Sequence, residues 1–465
     1  MIYGGGFATV VLLLWIGGLG AAGTARFTPP EAVRGLLLAM AAGVPAALKT
    51  GDAATFAPAW QAWVIAHDAD IRRRLERGDA DTIVNWLLFG TTFTRHPRVN
   101  LNGPATTAAS TDAELQQLAD LIARRTGDFV RALAAPGQDE RRQFARSFLE
   151  ARGHHFETAP QLAEVERYLG GEVGRVIGES SRYAGELAAD RQLADRTEDF
   201  ARRSRLFRDR GLSLDTPMLP GFAIEQTLRE LSAKGVIAAG SIRRAAVIGP
   251  GLDFSDKGSG YDFYPQQTLQ PFALVDSLRR LGLAGASGVQ VTTLDISPRV
   301  NDHLKRARTR SGRGAPYTIR VPLDVGLRWT RDVVDYWKRF GSEIGASAAA
   351  AGPAGTQIEL RVVEVRPAVV AAIVPEDLDI VVQRLPDARF DLMVATNVFV
   401  YYDVLDQCLA LANVEAMLRP GGFLLSNNAV LELPTSRVRS GGYQTVQYSD
   451  RPDDGDHIVW YQRLP

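Results

Sequence analysis

A short apolar run, Ala245–Ile248, stops abruptly at Gly249-Pro250-Gly251, and this constrains the fold more than any other feature of the chain. Small and β-branched residues in an unbroken run predict a strand buried on both faces, the habit of parallel sheets flanked by helices. The glycines predict a tight turn at the carboxyl end of that strand, where backbone without a Cβ lets a ligand approach closely. By itself a strand ending in Gly-x-Gly reads either as a nucleotide-type site or as an ordinary strand-to-helix turn.

The downstream segments narrow the choice. VQVTTLDIS at Val289–Ser297 predicts a second apolar strand, closed by Asp295. A carboxylate at the tip of a neighbouring parallel strand is placed to accept hydrogen bonds from two ribose hydroxyls. FDLMVATNVFVYYD at Phe390–Asp403 leads into a helix over Val404–Leu418, then LRPGGFLLSNN at Leu418–Asn428. Two last strands are expected around Gln444–Tyr448 and His457–Gln462, separated by SDRPDDGD. In this order of elements Phe222–Pro465 resembles a class I S-adenosylmethionine-dependent methyltransferase domain. The FDLMVATNVFVYYD and LRPGGFLL segments are similar to those of chemoreceptor glutamate methyltransferases.

The resemblance implies a Rossmann-like, seven-stranded domain with S-adenosylmethionine as cofactor. It places Gly249 and Gly251 along the methionine end of the cofactor and Asp295 at its ribose. Asp377 and Leu378 would flank the adenine, and Asn397 would lie near the transferable methyl. Tyr264, Tyr401 and Tyr402 are acceptor-side candidates, with aromatic packing as the plainer reading of Tyr401 and Tyr402. Charge complementarity adds Asp253 as an acceptor for the cofactor's ammonium group. The match has departures. Leu252-Asp253-Phe254 stands where a third glycine is usual, and DFSDKGSGYDFYPQQTLQPF lengthens the loop before the second strand. Between Lys305 and Leu360 an insertion carries a strand-like YTIRVPLD, a helix DVVDYWKRFGSEIG and a low-complexity ASAAAAGPAG, read as a specificity element or a surface excursion.

No His/Asp pair is prominent, so the catalytic residue and the acceptor stay unassigned. Methyl transfer to a carboxylate needs no strong base, whereas oxygen and nitrogen acceptors often use one. Two other readings remain. A dinucleotide oxidoreductase also uses a strand–glycine–helix turn, although Phe254 occupies the position of its last glycine. A catalytically inactive methyltransferase fold serving as a membrane-tethered binding or scaffold module is the other.

Lys+Arg and Asp+Glu balance at 53 each, so bulk charge indicates no nucleic-acid partner. The single Cys408 excludes an intramolecular disulfide, and the six histidines show no metal-ligand spacing. Residues 1–27 form a hydrophobic segment: Ile2–Ala25 contains no charged side chain. As a helix, its roughly 24 residues would reach about 36 Å, enough for a bilayer core of about 30 Å. It reads as a membrane anchor, with Arg26 and Arg34 favouring a cytoplasmic catalytic domain, or as a signal peptide of an exported protein.

Residues 28–212 predict an all-α domain. FAPAWQAWVIAHDADIRRRLERG, DAELQQLADLIARRTGDFVRALAA and DERRQFARSFLEARG carry apolar residues at three- and four-residue spacing. Its arginine runs (Arg72–Arg74, Arg141-Arg142) read as solvated helix charges, and Trp60, Trp63 and Trp86 as core anchors. Residues 213–221, with two prolines and a glycine, predict a linker, and 222–465 the α/β domain.

Overall fold

The computed structural model describes residues 24–40, 43–100, 111–190, 218–252, 262, 265–323, 329–352, 359–430, 432–433, 435–451 and 454–465. Most of the uncharged N-terminal stretch, Asp253, Tyr264 and most of the expected linker lie outside the described residues. Among the described residues no helix is long and apolar enough to cross a membrane.

In chain order, β1 (Arg26–Phe27) and α1 (Pro30–Ala39) precede the long helix α2 (Ala53–Phe89). Asp52 caps α2 by accepting from the Thr55 amide at 2.8 Å. Then come α3 (Asp112–Ala134), opened by a Thr111/Glu114 capping box, α4 (Glu140–Glu150) and α5 (Ala159–Asp190). The helical half is not one bundle. Ile83–Leu88 of α2 build a core with Phe129, Leu133, Leu149 and Val165 of α3–α5. The earlier part of α2 and α1 instead bury Val33, Leu37, Phe56, Trp60 and Ile71 in the core of the α/β half.

The second half runs α6 (Pro220–Ala233), β2 (Arg244–Ile248), α7 (Gln270–Arg280), β3 (Gln290–Asp295) and α8 (Pro298–Gly312). It continues through β4 (Tyr317–Pro322), α9 (Arg331–Arg339), β5 (Gly345–Ala351), β6 (Glu359–Val365) and α10 (Pro367–Ala371). The last elements are β7 (Ile373–Asp377), β8 (Gln383–Arg384), β9 (Phe390–Ala395), α11 (Val404–Met417), β10 (Leu418–Ser426), β11 (Val438–Gln447) and β12 (Gly455–Arg463).

Seven of these strands make one sheet in the order β11-β12-β10-β9-β2-β3-β7. β7, β3, β2, β9 and β10 are mutually parallel, while β12 pairs antiparallel with both β10 and β11. This is the Rossmann-like seven-stranded architecture that the resemblance implies, with the expected closing hairpin. The chain reverses direction across the sheet between β2–β3–β7 and β9–β10, so loops diverge at the carboxyl ends of β2 and β9. That divergence opens the crevice in which such sheets bind ligands. Asp391 fixes the opposite end of the strands by accepting from the Arg243 and Arg244 amides at 2.7 and 2.9 Å.

The insertion is ordered differently from its sequence reading. Alanine disfavours strands, yet Gly345–Ala351 forms β5 because β6 supplies an antiparallel partner along its length. With β4 on the other side of β6, these make a separate three-stranded sheet. β6 therefore belongs to the insertion, and the next strand of the main sheet after β3 is β7. Asp276 of α7 joins the two bodies, accepting from the Gly341 and Glu343 amides at 3.1 and 2.9 Å.

Candidate functional site

The turn after β2 has the backbone that its glycines allow. Gly249 and Gly251 sit at φ +62° and +61°, where a side chain would be strained. A Cβ on Gly249 would also lie 2.6 Å from Cγ2 of Val398, so the turn and the loop after β9 meet closely. The Gly249 amide continues the ladder to the Leu294 carbonyl at 2.9 Å. The Thr268 hydroxyl donates to the Gly251 carbonyl and holds the far side of the turn.

Asp295 and Asp377 end adjacent strands in direct register. The Asp295 carboxylate accepts from the Ser297 amide at 2.8 Å and from the Gly251 amide. Burial raises its pKa to about 6 against those two hydrogen bonds, and the neighbouring Asp377 adds to the rise. Asp377 is exposed at the strand tip, and its pKa is also raised, by desolvation first, with Arg72 and Lys305 opposing. Leu378 is buried and donates its amide to the Asp295 carbonyl at 3.2 Å. Two glycines and two strand-end carboxylates thus converge on the carboxyl edge of β2, β3 and β7.

On the other side of the crevice Asn397 is the one described non-glycine residue with positive φ, +58°. A reciprocal amide pair holds it: the Asn397 amide donates to Asn427 Oδ1, and Asn427 Nδ2 donates to Asn397 Oδ1, both at 2.8 Å. Asn427 Nδ2 also reaches Asp456 Oδ1 at 3.4 Å, and the Tyr448 hydroxyl donates to Asp456 Oδ2 at 2.5 Å. Sequence reasoning missed Asn427, Asp456 and Tyr448. The Asn427-Asn428 doublet directly after an apolar strand was the available signal. Tyr401 is half-buried in a short turn, and Tyr402 is buried, its hydroxyl pKa raised well above normal by burial and then by Asp379 and Asp406. Nearby, Gln270 Nε2 donates to the Thr396 hydroxyl at 2.9 Å. Gln270 and Thr396 line a cleft with Gly221, Ile224, Val247 and Val394 that holds about 310 Å³, part of it open to solvent.

The largest feature absent from the sequence reading is the course of α2. Its 37 residues, about 55 Å long, run across the loops at the carboxyl ends of the strands. His67 lies between Asp379, which follows β7, and Asp406 of α11, at 3.3 and 3.7 Å. Arg74 donates to the Tyr401 carbonyl, after β9, at 2.8 Å. Asp79 pairs with Arg299, after β3, at 3.2 Å. At its end Trp86 Nε1 donates to Asp262, after β2, at 2.7 Å. Arg74 is therefore a buried link to the site rather than a solvated charge, and Arg141 is likewise buried. Helix α2 covers the mouth of the crevice from β7 to β9.

No family model matches the chain, and no curated protein does. Among solved structures it is similar to the N-methyltransferase NodS from Bradyrhizobium japonicum, at 16% identity over 57% of this chain and 98% of that one, TM-score 0.27. It is similar to the magnesium protoporphyrin IX methyltransferase ChlM from Synechocystis PCC 6803, at 10% identity over 56% and 89%, TM-score 0.25. The glycopeptide N-methyltransferase MtfA is a third, at 13% identity over 52% and 90%, TM-score 0.24. At such identities and scores the assignment of fold rests on the sheet itself.

Proposed function

We propose that the chain is an S-adenosylmethionine-dependent methyltransferase whose acceptor binds on the Asn397 side of the crevice. One observation carries the reading: a positive-φ Gly249/Gly251 turn faces the in-register carboxylates Asp295 and Asp377 on adjacent parallel strands. The residues fit the cofactor. Gly249 and Gly251 leave room for it at the turn, and the Asp295 oxygens keep lone pairs for ribose hydroxyls beside the two amides they already accept. Asp377 and Leu378 take the adenine side. S-adenosylmethionine supplies an electrophilic methyl group on a sulfonium.

The rest of the work is positioning and dehydration. Asn427 locks Asn397 in its left-handed conformation, which fixes the loop over Gly249. Covering by α2 excludes water and strengthens every polar contact beneath it. To Asp456, which Asn427 and Tyr448 hold on this side, we assign the receipt of a proton from an N–H or O–H acceptor. An inactive scaffold and a dinucleotide oxidoreductase are the rivals to be tested.

Calorimetric titration with S-adenosylmethionine, S-adenosylhomocysteine and NAD separates the three, using wild type and Asp295→Asn. The account expects binding of the two adenosyl compounds only, weakened at least tenfold in the variant. Asp295 also has a stability consequence. Its folded pKa, about 6, exceeds the ordinary 3.8, so the ionised group opposes folding above that range. Asp295→Asn should gain up to about 3 kcal/mol at pH 8 and lose the gain below pH 4. Failure of every ligand to bind wild type leaves the scaffold; NAD binding alone points to the oxidoreductase.

A further inference from the structure

Helix α8 is the most one-sidedly charged element among the described residues. From Pro298 to its C-cap Arg313 it carries six Lys and Arg and one acid, Asp302, in a chain whose charges balance as a whole. Val300, His303, Leu304, Ala307 and Ser311 turn inward, so the remaining face is exposed and basic. Arg299 pairs with Asp79, but Lys305, Arg306, Arg308, Arg310 and Arg313 form no ion pair among the described residues. Lys305 and Arg308 lie toward Glu376 of β7, while Arg306 and Arg310, one helical turn apart in sequence, both act on His303. Like charges at that spacing weaken a helix. The buried His303 below them is held down to about 4, by burial first and then by Arg306, Arg310 and Arg299.

The position of this face is informative. β7 is the edge strand of the main sheet, and α8 packs on it. Only Leu378–Val382 separate β7 from β8, which pairs with β1. The chain enters the fold through an exposed Arg26 and Phe27 of β1, beside β8, which packs on α11. The exposed side of α8 offers no aromatic residue on which a base would stack. A cluster of this size, in a chain that also carries the uncharged Ile2–Ala25 stretch, matches the charge pattern that holds a protein against anionic lipid. An apolar stretch and a basic patch together give firmer attachment than either one.

We propose that the basic face of α8, Lys305, Arg306, Arg308, Arg310 and Arg313, rests on an anionic lipid surface. The proposal is independent of the cofactor reading. It is tested with the full chain by flotation on vesicles of phosphatidylcholine alone and of phosphatidylcholine with phosphatidylglycerol at about 7:3. The readout is the ratio of the two partition coefficients, which cancels any contribution of the apolar stretch. Wild type should favour the anionic vesicles at least tenfold at about 0.1 M NaCl and lose the preference at about 0.5 M. An Arg306→Gln, Arg310→Gln, Arg313→Gln variant should bring the ratio close to one while its thermal midpoint holds or rises. If that variant fails to fold, the salt dependence of wild type and an Arg306→Gln, Arg310→Gln double variant decide. A ratio near one for wild type, an unchanged ratio in the variants, or stronger binding to polyuridylate than to anionic vesicles overturns the proposal.

Discussion

Replacing Asp262 by alanine removes the acceptor of five hydrogen bonds that tie the α/β half to the end of α2. They come from Trp86 Nε1 at 2.7 Å, the Thr91 amide and hydroxyl at 2.9 and 2.7 Å, and the Thr92 amide and hydroxyl at 3.1 and 2.6 Å. The two hydroxyls can rotate to other acceptors, so they contribute little to the cost. The indole N–H and two backbone amides cannot, and each buried donor that loses its acceptor costs roughly 1–3 kcal/mol. Allowing for partial access of water, Asp262→Ala should lose about 3–5 kcal/mol. Asp262→Asn keeps one oxygen and turns its NH2 toward a donor, so about half that loss is expected. Urea unfolding of the full chain, followed by tryptophan emission, measures both, and Trp86 lies at the perturbed contact. A loss below about 1 kcal/mol for the alanine variant would refute the view that α2 is an integral part of the α/β half.

His67 gives that same interface a pH dependence. Burial lowers its pKa, but Asp379 and then Asp406 and Asp70 raise it to a net value above the ordinary 6.5. The stabilisation is complete below 6.5 and disappears as pH rises through the folded value. Urea midpoints of wild type should therefore fall from pH 6 to pH 9 by a component that His67→Gln lacks; identical slopes would contradict this. At the turn, Gly249→Ala combines a φ of +62° with a Cβ 2.6 Å from Val398 Cγ2. It should cost about 2–4 kcal/mol, against about 1 for Gly137→Ala, which has a φ of +57° but open space. Equal losses in thermal unfolding would show that Val398 yields freely.

The main sheet was largely legible because its strands are buried on both faces and announce themselves as apolar runs. Ala245–Ile248, Val289–Ser297 and Phe390–Thr396 were found in this way, and the observed β2, β3 and β9 begin and end within a residue or two of them. Helix α11 was equally plain. The insertion was less so. Alanine carries no strand preference, and β5 exists only through its pairing with β6 some residues later, which no local window contains. The site was half legible. Gly249, Gly251, Asp295, Asp377 and Asn397 follow strand ends, so locating the strands located them. Asp262 binds Trp86 across 176 positions and Arg74 reaches Tyr401 across 327, so a linear pattern carries no trace of either. The same is true of the split core of the helical half, where α1 and α2 look like members of one bundle until Trp60 and Ile71 are seen packing with the sheet's own residues.

Amide hydrogen exchange of the full chain, with and without saturating S-adenosylmethionine, tests most directly whether the cofactor lies between the strand ends and α2. The account predicts slowed exchange at Gly249–Leu252, Ile296–Ser297 and Leu378–Asp379, together with the covering turns of α2 around His67–Arg74. Slowing confined to the helical half, or to the three-stranded insertion, or no slowing anywhere, would contradict it.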